Sequence, residues 1–219
     1  MDRFHRNCVP LMYSMIDEFF DPSQLLNSEQ KHLVIKSFAM KFWFLMKDYQ
    51  TVKIFPKLDD TRQTIDQRFV IDYNNPKHIQ YFVSEFERPE EHFDITINFI
   101  KMGRELVNQF IVQECTDIEF AALAYIMFLI ECEKFPTIEH LINDQKDIVL
   151  KETYAYCISK FGIEQGGVKF CNLFNLLSEI TNHGIRLIED MTILKIFLND
   201  FYDSWLELEK CEEKITDLC

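Results

Sequence analysis

Apolar positions recur along most of this chain at the three- and four-residue steps of a helix. The densest stretch, Leu25 to Thr51, reads LLNSEQKHLVIKSFAMKFWFLMKDYQT. From Leu33 to Met46 it is apolar except at Lys36, Ser37 and Lys41, and it holds no Gly or Pro. At about 100° per residue, Val34, Ile35, Phe38, Ala39, Phe42, Trp43, Leu45 and Met46 form a broad core-facing surface. Lys36, Ser37, Lys41, Lys47 and Asp48 define the opposite arc, with Leu33, Met40 and Phe44 among them. A helix with two apolar surfaces, one studded with lysine, is either a buried middle helix or one wall of an exposed groove.

The flanking patterns predict more helices. Val9 to Phe20 carries Leu11, Met12, Met15, Ile16, Phe19 and Phe20 at amphipathic spacing, and Pro22 limits it. After the central stretch the pattern changes. Val52 to Phe55 and Arg68 to Tyr73 read as short extended segments joined by a polar loop. Asn74-Asn75-Pro76 then starts a short helix running to about Phe86. Phe93 to Cys115 is helical, Thr116 or Asp117 caps the next helix, and Pro136 closes the connection behind it. Thr137 to Phe161 forms a long helix ended by Gly162; Gly166-Gly167 marks a turn, and VKFCNLFNLLSEI a strongly apolar helix. His183-Gly184 reads as a break, and Ile193 to Lys210 as a last, acidic amphipathic helix. There are no internal repeats.

Composition narrows the class. A chain of 219 residues with 47% apolar content can bury a substantial core. Five Gly and six Pro leave little material for the turns of an all-β protein. The net charge of −13 repels phosphate backbones. The apolar run FAALAYIMFLI, Phe120 to Ile130, lies between Glu119 and Glu131 and is too short to span a membrane. The N-terminus lacks the apolar core and cleavage site of a secretory signal. Seven scattered cysteines with no C-x-x-C pair suggest reduced thiols in an intracellular protein.

Catalytic chemistry finds no foothold. His5 and Cys8 have a metal-like spacing, but two ligands make no site. His78, His92, His140 and His183 fall on separate predicted elements. No phosphate loop, nucleophile elbow or H-E-x-x-H occurs. Glu131 and Glu133, at the end of a buried-looking helix, read as solvated carboxylates. The chain is not expected to be an enzyme.

LNSEQKHLVIKSF followed by an aromatic-rich helix resembles the helix 3 to helix 5 segment of nuclear receptor ligand-binding domains, in the divergent form typical of nematode receptors. Leu26, Glu29, Gln30, Lys31, Val34, Ile35 and Lys36 fill the places of that signature. TDIEFAALAYIMFLIECE resembles helix 8 of the family, through Asp117, Glu119, Phe120, Leu123 and Ile126. Asp144 to Cys157 resembles helix 9, and GGVKFCNLFNLLSEI helix 10, with Lys169-Phe170 where the family often has Arg and an aromatic. The motifs run in order from about Leu11 to Tyr202.

The resemblance implies an all-α, three-layer antiparallel helical sandwich with a small β-hairpin after the central helix, forming one domain over residues 1–219. It places a helix 3-like segment at 9–20, helix 4/5 at 29–49, a β/loop insert at 52–73, and further helices at 76–162. A helix 10/11-like segment follows at 167–190 and a final switch helix at about 193–208. It implies a ligand pocket lined by Met15, Phe19, Phe42, Met46, Ile100, Leu187 and Met191, for a small apolar molecule such as a fatty acid or sterol and with no other cofactor. The same side chains read equally as plain core, and twenty-one Phe and eight Met are enough to fill such a cavity. The alternative is therefore a constitutive scaffold of the same fold with a filled pocket.

The resemblance also implies a groove for LxxLL-type coregulator helices, made by Leu33, Lys36 and Met40 with Phe197, Leu198, Asp200 and Phe201 of the last helix. An acid and a lysine at its two ends would hold the exposed termini of a short helix. The chain departs from the family here: Asp200 replaces a Glu, and Asp17-Glu18 stands where a second clamp lysine is usual. Helix 10 implies dimerisation with another nuclear receptor or a second copy. Phe170, Phe174 and Leu177 form one stripe on it and Leu173 and Leu176 another, one facing the core and the other the seam. The family implies a nuclear protein, with DNA binding and zinc confined to a separate domain whose four-cysteine modules this chain lacks.

Overall fold

Helix α2, Ser28–Ile54, is the element around which the others pack. Asn27 starts it: its side chain accepts the Gln30 amide at 2.9 Å while the Gln30 side chain accepts the Asn27 amide at 3.1 Å. That exchange satisfies two otherwise orphaned donors. The computed structural model describes residues 13–20, 24–66, 69–84, 88–136 and 138–197 of the protein. The expected extended segment at Val52 to Phe55 is instead the last turn of α2 and its cap. β-branched residues there yield to packing, with Thr51 fully buried and its hydroxyl donating to the Lys47 carbonyl at 2.9 Å. The helix stops where Pro56 restricts Phe55.

Residues 13–19 form α1, which buries Ile16, and Phe20 behind it meets Phe38, Tyr125 and Phe128 at ring separations of 6.0, 5.2 and 4.6 Å. Beyond α2, β1 (Arg62–Asp66) pairs antiparallel with β2 (Phe69–Asp72), with Gln63 opposite Ile71 and an irregularity between Thr64 and Asp66. The polar loop expected between two strands is thus itself a strand. Then follow α3 (Pro76–Val83), α4 (Pro89–Val112), α5 (Asp117–Cys132), α6 (Glu139–Phe161) and α7 (Ile163–Phe197). Asn75 caps α3 with Pro76 in its first turn, and Thr116 with Glu119 forms the capping box of α5.

Helix α2 packs against β1, α4, α5 and α7; α6 packs against α5 and α7; and α3 lies on α4. One hydrophobic cluster joins α1, α2, α4, α5, α6 and α7 through residues such as Ile16, Phe38, Phe110, Phe128, Ile142 and Leu176. A second lies under the hairpin: Ile65, Ile71, Ile79, Val83 and Ile100. Trp43 packs against both.

Two glycine readings change. The turn falls at Gly162, with φ of +81°, and Gly166-Gly167 already lies in α7. A Cβ at Gly166 would stand 2.6 Å from the Cys157 carbonyl oxygen, so its glycine lets the two helices meet closely. Nor does α7 break at His183-Gly184. A Cβ at Gly184 would come within 3.0 Å of Lys41 Cγ, and the bare backbone makes room for that side chain.

Candidate functional site

The C-terminal part of the expected polar arc of α2 turns inward. Lys47 and Asp48 are 2% and 0% exposed. Thr64 of β1 ties the hairpin to this turn, its amide donating to Thr51 Oγ1 at 3.1 Å and its hydroxyl to the Lys47 carbonyl at 2.9 Å. Gln63, also fully buried, donates from Nε2 to Asp48 Oδ1 at 3.1 Å. The Lys47 ammonium stands 3.4 Å from the same oxygen. It lies over three aromatic rings: Phe44 at 4.8 Å, Phe99 at 5.3 Å and Trp43 at 5.6 Å. His183 of α7 meets the Phe44 ring edge-on at 5.7 Å.

Burial dominates the acid–base behaviour of these groups. It pushes the Lys47 amine down, against the pull of Asp48. It pushes Asp48 up to about 6, although Lys47, Gln63 and Arg104 favour the carboxylate. His183 is held down to about 4 by burial and by the nearby positive charges of Lys47 and Arg186. Lys47 Nζ, Asp48 Oδ2, Gln63 Oε1 and His183 Nε2 have no hydrogen-bond partner among the described residues. In a native interior nearly all such groups are paired.

The residues expected to line a pocket are dispersed around this turn. Phe42 is half-buried and stacks on Phe38 at 5.2 Å, Met46 is half-buried one turn later, and Ile100 lies in the hairpin cluster. Met15 packs on the main core, whereas Phe19 is 68% exposed and faces away from the interior of the described residues. The side chains of Leu187 and Met191 lie outside the described residues. Sequence reading missed Lys47, Asp48 and Gln63. The available signal was a Lys-Asp pair inside a helix expected to be central.

On the coregulator side, Leu33 is 49% exposed and Lys36 is exposed beside it. Asp17 is engaged by Lys31 at 2.6 Å. The Met40 and Phe197 side chains, and Leu198, Asp200 and Phe201 entirely, lie outside the described residues. Lys41 belongs elsewhere: it joins Ser37 and Lys134 in donating to Glu131. Glu131 is therefore a buried acid, not the solvated carboxylate expected, while Glu133 is half-exposed and accepts from Lys146 at 2.5 Å.

The two stripes expected on α7 are not separated as predicted. Leu173, Leu176 and Leu177 all go to the core; Phe170 is half-buried against Tyr154 and Phe174, and Phe174 is 36% exposed. Leu173, Phe174 and Leu177 also line a small apolar cleft with Leu123 and Ile126. Among the described residues no cluster of three or more His, Cys, Asp or Glu could hold a metal, and no helix is long and apolar enough to cross a membrane.

A family model for the ligand-binding domain of nuclear hormone receptors matches residues 11–197. The chain belongs to that family, and its helical architecture with one small antiparallel hairpin is the family's fold. The family comprises ligand-regulated domains of transcription factors, generally without enzymatic activity. No curated individual protein matches the chain at a significant level.

Proposed function

We propose that the chain senses a small apolar molecule in its interior and recruits coregulator helices through the outer face of α2 and the C-terminal segment. One observation carries the ligand half of this reading: polar atoms from α2, β1 and α7 lie buried without hydrogen-bond partners among the described residues where α2, the hairpin, α4 and α7 meet. Plain core offers no reason to bury a lysine, an aspartate and a glutamine with open valences. The proposed ligand is a fatty acid or sterol, with Phe42, Met46 and Ile100 as its apolar contacts and Met15, Leu187 and Met191 as the further candidates.

For recruitment, Leu33, Lys36 and Met40 form one wall and Phe197, Leu198, Asp200 and Phe201 the other. Dimerisation uses the exposed remainder of α7 around Phe174, with Phe170 beside it, in a homodimer or with another nuclear receptor. Membership of the family supports a nuclear location, with DNA contacted by a separate domain.

Native mass spectrometry of the purified chain, followed by organic extraction, tests the ligand half. A discrete added mass of a few hundred daltons is expected. A chain that carries and accepts no lipid would leave a constitutive scaffold with a filled core. An LxxLL peptide tests the other half: Lys36→Ala and Asp200→Ala should each weaken it about tenfold, the loss of one charge-assisted end contact. Unchanged peptide affinity in both variants would remove the clamp assignment.

A further inference from the structure

We draw no further inference here: the strongest candidate, the small apolar cleft between α5, α6 and α7 beside Phe174, is an unpartnered face and nothing in the structure shows what covers it.

Discussion

Helix α2 carries two buried ionic clusters less than three turns apart, and they are built on opposite terms. At Glu131 one carboxylate receives Ser37, Lys41 and Lys134, so both of its oxygens are engaged. Burial alone would raise this acid, but the three donors hold it below the usual carboxylate range. At Lys47 and Asp48 the same kinds of group are buried more completely and left partly unpaired, and the acid rises to about 6. Each cluster has its own glycine, Gly184 beside Lys41 and Gly103 beside Lys47. A saturated cluster is a structural joint between α2 and α5. An unsaturated one carries a cost in stability.

Removing the acid from the saturated cluster should have the largest effect. Glu131→Ala strands Lys41 and Ser37 in a mostly buried position, and urea unfolding should show a loss of about 3 kcal/mol, the range for breaking a buried pair. A loss under about 1 kcal/mol would put the two clusters on the same footing.

The next effect depends on pH. His183 is held neutral, with its value down to about 4 from 6.5, so its favourable contribution is full above 6.5 and is lost as pH falls toward 4. Asp48 runs the other way. Its carboxylate costs stability above about 6, and that cost is relieved as pH falls toward 3.8. The two oppose each other through the acid range. His183→Leu removes one arm, so its stability relative to wild type should climb by on the order of 2 kcal/mol between neutral pH and about pH 4. A pH-independent difference in denaturation midpoints would contradict the burial of a neutral imidazole there.

The glycines come third. Gly103→Ala should cost about 1–2 kcal/mol because its methyl meets two polar heads at under 3 Å. Gly184→Ala should change thermal stability by less than about 1 kcal/mol, since a helix-propensity gain offsets a 3.0 Å contact with a flexible lysine stem. Equal effects would mean that the two cradles are equally tight. Smallest of all, Lys47→Met should shift stability by no more than about 1 kcal/mol in either direction. It exchanges a costly buried ammonium for an apolar chain of similar size, and Asp48 can take up a proton. A loss as large as that of Glu131→Ala would show the second cluster to be structural after all.

Much of the fold was legible because its signals are local. The Thr116–Glu119 capping box, the Asn75-Pro76 start and the Gly162 stop act within a turn of chain and are readable from residue type. The hairpin was half-visible. β2 is apolar enough to read as extended, but β1, with Arg62, Gln63 and Thr64, owes its strand to hydrogen bonds with α2, which no local pattern reveals. The site was least legible. Periodicity groups Lys41, Lys47 and Asp48 on one polar arc, and polar arcs usually face water. Here that arc faces Glu131 of α5 and Gln63 of β1, partners 90 and 15 residues away along the chain.

One side chain described above bears on how freely the sequence can drift. Arg104 is 2% exposed and its guanidinium donates to the main-chain carbonyls of Phe55, Lys57 and Arg62, gathering the exit from α2 and the entry to β1 onto α4. Because it grips backbone and not side chains, the exposed residues Lys57, Leu58 and Asp59 can be replaced almost at will so long as the path is kept. The loop is thus permissive in its letters and strict in its course, and mutational tolerance there is set by a residue more than forty positions downstream.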